Sequence, residues 1–205
     1  MIKALIICPG KRNAVVRERE GASLNAMTAH PAEPDELDFL SFVDFAVART
    51  TSELGAVDPE AMRLVLTLHR LTSALVYDLE SAVHRPRGLS WPGFRVLFVL
   101  WLAGPLESKR VAQLSGMSRA AVSALVNTLE KGGLVERRQA EHDRRAVLLS
   151  LTEAGHDTIT KDYQAHNERE QAWASTLSPE ERTTLIGLLH KLMTGSAAAD
   201  AKRRF

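Results

Sequence analysis

The sequence predicts a mainly α fold of the α+β kind, in which helices surround one small hairpin. Three observations carry that reading. Apolar residues recur at three- and four-residue steps over most of the chain, as Val122, Leu125, Val126 and Leu129 do, and so share helical faces. That period breaks at Gly132-Gly133, after which residues 134–138 and 145–150 read as two short strands around a polar tip at 139–144. A short helix over 108–115 precedes the amphipathic one and is joined to it through Gly116-Met117. Helix, glycine turn, helix and basic hairpin make a winged helix-turn-helix with a two-stranded wing.

Composition sets the frame for this lobe. At 205 residues, 45% hydrophobic and 25% charged, the chain is an ordinary globular protein of one or two domains. Its net charge is only +1, but the charge is unevenly placed. Residues 86–151 hold ten Lys and Arg against five Asp and Glu, a net +5, which leaves −4 for the remainder. A basic module on an acidic scaffold suits a lobe that meets phosphate while the rest does not. The one cysteine, Cys8, excludes an intramolecular disulfide and a cysteine zinc cluster. No apolar run approaches the ~18 residues of a membrane span, and Ala4 to Cys8 is too short for a signal-peptide core. A cytoplasmic protein without a membrane partner is expected.

The elements follow in order. Residues 1–32 are charged or rich in small residues and read as a flexible extension. A helix over 34–51 presents Leu37, Leu40, Val43 and Val47. Asp58-Pro59-Glu60 opens a second, running to about His84 with a wide apolar stripe that includes Leu64, Leu68, Leu71 and Leu75. Residues 85–88 break it. Ser90 caps a third helix, ended by Gly104-Pro105, and the helix-turn-helix and wing follow. Thr152 caps a long polar helix reaching about Ser175. Ser178-Pro179-Glu180-Glu181 is a capping box that opens a last helix with Leu185, Ile186, Leu188, Leu189 and Leu192. Residues from 196 on are expected to fray. The domain organisation is thus a 1–32 extension, scaffold helices over 33–85, a DNA-binding lobe over 86–151, C-terminal helices over 152–195 and a 196–205 tail. The flanking helices hold more apolar surface than one lobe can hide, which predicts a symmetric homodimer with the terminal helices as its interface.

The residue types on the motif indicate double-stranded DNA. Arg119, Ser123 and Asn127 lie on the polar face of the recognition helix and can meet guanine, either base, and adenine respectively, while Ala120 is small enough to enter the groove. Ser118 caps that helix, where its hydroxyl or nearby amides can hold a phosphate. Ser108, Lys109 and Arg110 are candidate phosphate clamps. Of Arg137 and Arg138 on the first wing strand, one should face phosphate and the other pair with an acid such as Glu136 or Glu141. Arg144 or Arg145 at the wing should enter the minor groove, with Asp143 as the hairpin-turn residue. The seven histidines show no pair at metal-binding spacing, so neither a metal nor a cofactor is expected. There is no glycine-rich phosphate loop and no nucleophile elbow, so an enzyme is not expected.

Residues 89–155 resemble the MarR family of bacterial transcription regulators. The resemblance rests on Val111-Ala112-Gln113-Leu114, Met117-Ser118-Arg119-Ala120-Ala121-Val122, Leu129-Glu130-Lys131-Gly132-Gly133-Leu134-Val135-Glu136-Arg137, Asp143-Arg144-Arg145 and Leu151-Thr152-Glu153-Ala154-Gly155. The paired glycine departs from the lone glycine more usual there. The resemblance implies a homodimeric repressor on a palindromic operator, modulated by a small aromatic or phenolic effector. It makes Arg145 the wing arginine and Asp143 the residue that positions it. It puts the effector between the dimer helices and the lobe, on helices that carry His69, Tyr77, Arg95 and Trp101. The alternative is a winged helix used for protein–protein contact without specific DNA binding.

Overall fold

The computed structural model describes residues 37–139 and 147–203. These divide into two compact units, one up to Pro59 and one from Glu60 onward. The first contributes helix α1 (Ser41–Leu54), closed by Gly55 at φ 67°. The second holds α2 (Pro59–Leu79, its first residue at the unit boundary), α3 (Trp91–Ala103), β1 (Leu106–Glu107), α4 (Ser108–Ser115), α5 (Arg119–Lys131), β2 (Val135–Gln139), β3 (Val147–Leu151), α6 (Glu153–Ala174), α7 (Pro179–Thr194) and α8 (Ser196–Arg203).

Four of the predicted caps form. The hydroxyl oxygens of Ser90, Ser118, Thr152 and Ser178 accept from the backbone N–H of Gly93, Ala121, Gly155 and Glu181. The capping box is complete, because the Glu181 carboxylate also accepts from the Ser178 N–H at 2.7 Å. Each bond satisfies a donor that the first turn of a helix leaves open.

Four elements differ from the sequence expectation. The first helix runs over Ser41–Leu54 rather than 34–51, and Leu37 and Leu40 lie before it, because the Asp38 carboxylate accepts from the backbone N–H of Leu40 and Ser41 and turns the chain there. The long second helix does not run unbroken to His84. It widens into a π turn over Glu80–His84 and tightens into a 3₁₀ turn over Arg85–Arg87. Pro86 has no N–H to give the preceding turn and its ring crowds that turn, so the ladder slips to a wider spacing. The sheet has three strands, not two. The order is β1-β3-β2, all antiparallel, with Leu106 opposite Leu149 and Val135 opposite Leu151. A two-residue strand is too short to show a period of two. The tail from Ser196 is helical through Arg203 rather than frayed, as its run of alanines, strong helix formers, explains.

One core unites the lobe. Phe94, Val96, Leu97 and Leu100 of α3 meet Val111 and Ala112 of α4, Val122, Val126 and Leu129 of α5, Val135 of β2, Leu149 of β3 and Ile159 of α6. Six of these are no more than 1% exposed, so the two helices of the motif are fixed against a packed floor. Gly155 explains the end of the family-like run. A Cβ there would collide with the Leu134 carbonyl. Thr152 stitches the same junction, its hydroxyl donating to the Gly133 carbonyl at 2.6 Å. By contrast α7 buries none of its residues. Leu185, Ile186, Leu188, Leu192 and Met193 stay exposed, as do Leu64, Val65 and Leu71 of α2.

Candidate nucleic-acid interface

The interface is built on α5. Val122, Val126 and Leu129 turn one face of the helix into the core. The other side follows from the 3.6-residue period: Arg119, Ala120, Ser123 and Asn127 are exposed along it, and Ser118 is exposed at the cap. Gly116, at φ 62° in the left-handed region, makes the turn into this helix. Arg95 of α3 donates to the Ser115 carbonyl at the end of α4. That bond ties the turn to the core, and burial holds the Arg95 guanidinium below its ordinary value.

Around α5 the charges are ordered. Lys109 and Arg119 line one open recess of about 650 Å³ at the start of the recognition helix. Ser108 is half-buried, while Lys109 and Arg110 are exposed. Arg110 also donates to the Gln113 side chain at 3.2 Å. On the wing, Arg138 pairs with Glu136, one of the two acids expected. Arg137 is paired as well: its guanidinium bridges Glu130 and, at 2.7 Å, the amide oxygen of Asn127. The wing-tip residues Asp143, Arg144 and Arg145 lie outside the described residues, as do Cys8 and the 1–32 extension.

The four residues considered for an effector have different surroundings. His69 and Tyr77 are exposed on α2. Arg95 is committed to the Ser115 carbonyl. Trp101 lies tilted against Phe98 and Tyr163, with ring centroids 6.1 and 5.4 Å away.

Sequence reasoning missed a buried polar chain. His84 Nδ1 lies 2.6 Å from an Asp162 carboxylate oxygen, His84 Nε2 lies 3.3 Å from His166 Nδ1, and His166 Nε2 lies 3.1 Å from Glu170. His84, Asp162 and His166 are 0%, 1% and 4% exposed. The His166 ring stacks with Trp91, Phe94 and Tyr163, and the His84 ring stacks with Phe94. Burial pushes the His166 imidazole below its ordinary value of 6.5, partly opposed by the Glu170 carboxylate. Nearby, Asp78 of α2 accepts from Arg169 at 2.6 and 2.8 Å and from the Trp173 indole at 2.7 Å. Those donors, Arg169 first, hold its carboxyl below the usual 3.8. The chain therefore clamps α6 to the π turn where α2 gives way to the lobe. Its signal was present in the sequence: Gly155, Ile159, Asp162 and His166 form one helical face that carries two polar residues. Among the described residues no cluster of His, Cys, Asp or Glu is arranged to hold a metal ion.

A packed helix-turn-helix, an exposed polar recognition face and an antiparallel wing define a winged-helix DNA-binding protein. Comparison with known proteins narrows the class. The sequence profile of the MarR family matches residues 87–146. The uncharacterized HTH-type transcriptional regulator YwaE of Bacillus subtilis is 33% identical over 133 residues, which cover 65% of this chain and 78% of that protein. The structure of NadR in complex with 4-hydroxyphenylacetate is 25% identical with a TM-score of 0.54, covering 63% of this chain and 91% of that one. A mutant MarR of E. coli complexed with operator DNA shares the fold at 23% identity and a TM-score of 0.61, covering 65% and 96%. The chain belongs to the MarR family and is a DNA-binding transcription regulator. No helix among the described residues is long and apolar enough to cross a membrane.

Proposed function

We propose that the protein is a repressor that binds a palindromic operator as a homodimer in the cytoplasm and is modulated by a small aromatic or phenolic effector. The observation that carries the proposal is the exposed Arg119–Ser123–Asn127 face of α5, held on a rigid core beside a wing. In the proposed complex that face enters the major groove, where Arg119 and Asn127 meet base edges and Ser123 and Ala120 allow close approach. Ser118, Ser108, Lys109 and Arg110 meet phosphate. Arg145, with Asp143 and Arg144 beside it, reaches the minor groove.

The homodimer is supported by the apolar residues that α7 and α2 leave exposed on a single chain. Two copies would set two α5 helices one turn of DNA apart. The effector proposal rests on relatives such as NadR, whose structure holds 4-hydroxyphenylacetate, with His69, Tyr77, Arg95 and Trp101 as the residues to probe. The test is fluorescence anisotropy with a labelled duplex from upstream of the protein's own gene. Wild type should bind it more tightly than a shuffled duplex, and Arg119→Ala should lose roughly tenfold or more. Equal affinity for both duplexes would defeat the proposal.

A further inference from the structure

Arg137 was expected either to touch phosphate or to pair with an acid. Its geometry fits neither role alone. It reaches from β2 back to α5 and binds two side chains there at once, the Glu130 carboxylate through one terminal nitrogen and the Asn127 amide oxygen through the other. Glu130 and Asn127 are three residues apart on α5, so the planar guanidinium spans one turn of the recognition helix. Arginine has donors and no acceptor. It can therefore be satisfied only by the oxygen of Asn127, and the amide NH₂ must face away from it. Asn127 shares the exposed face of Arg119 and Ser123, at four-residue steps.

We propose that Arg137 is a positioning residue for sequence readout: it fixes the Asn127 amide so that the donor end is presented to the groove. The proposal rests on the regulator reading above. Acceptor-bearing edges, guanine N7 and O6 or thymine O4, suit a presented donor. The two-point grip on adenine also needs the amide oxygen, which Arg137 engages. Glu130 neutralises Arg137, so Arg137 adds little to the attraction for phosphate.

The test uses the full chain, a duplex selected by the wild type from a random pool, and a shuffled duplex of equal length. Affinities are measured over a salt series. Arg137→Ala should lower the selected-to-shuffled affinity ratio about tenfold and leave the salt slope of the selected duplex unchanged. It should also relax the preference at the same base pair as Asn127→Ala, and the double variant should lose no more than either single one. Arg137→Lys keeps the charge but cannot span both partners, so it should behave as Arg137→Ala does. A direct phosphate contact gives the opposite pattern: both duplexes weaken equally, the slope falls by about 0.9, and lysine rescues. That pattern overturns the proposal while leaving the regulator reading intact. Failure of the wild type to enrich any sequence would overturn both.

Discussion

Asp162→Ala tests how the lobe is joined to the C-terminal helices. Asp162 is 1% exposed and accepts from a fully buried His84 at 2.6 Å. Removing the carboxylate leaves an imidazole N–H with no acceptor inside a stack of aromatic rings. Leaving a buried donor unsatisfied costs roughly 1–3 kcal/mol. At roughly 2–4 °C per kcal/mol for a chain of this size, Tm should fall by roughly 2–12 °C. Asp162→Asn retains an acceptor and should cost about 1–2 kcal/mol. The assay is thermal unfolding at pH 7.5, followed by circular dichroism.

The same chain sets a pH dependence. Burial depresses the His166 pKa. The unfolded chain therefore takes up a proton at this imidazole first, and the stability His166 confers is present above about 6.5 and is lost as pH falls below it. Wild type should lose more stability than His166→Gln between pH 7.5 and 5.5. An Asp162→Ala protein that melts within 2 °C of wild type, or a wild type that gains on His166→Gln in acid, would refute the reasoning.

Other outcomes follow from the packing. Gly155→Ala should lower stability by about 1–3 kcal/mol, read as a lower urea midpoint, because the new methyl meets the Leu134 backbone rather than a yielding side chain. Deleting residues 177–205 removes α7 and α8 and should give a monomer or an aggregate with weaker operator binding, seen by light scattering. A truncated chain that stays dimeric would remove α7 from the interface. Ser178→Ala should cost about 1 kcal/mol through the lost capping box.

Much of the fold was legible because local chemistry and tertiary role agree here. The caps at Ser90, Ser118, Thr152 and Ser178 mark the helix starts they were read to mark. The apolar stripe of α5 is the stripe that is buried, so its polar face could be read by subtraction. What stayed hidden depends on neighbours distant in sequence. β1 exists only because β3 lies beside it. His84 and Asp162 are 78 positions apart and meet only once α6 folds back on the π turn. The bond from Arg137 to Asn127 joins a strand to a helix across the glycine turn. A pattern of residue types can propose that both are polar, but not that one aims the other.

The most direct test of the account is selection of bound duplexes from a random pool by the full-length protein. Two α5 helices on a twofold axis should enrich an inverted repeat whose half-site centres lie about 10–10.5 base pairs apart, the spacing of successive major grooves. Arg119→Ala should weaken the enrichment in both halves together. A pool with no enriched sequence, or with one isolated half-site, would contradict a paired reader built on α5.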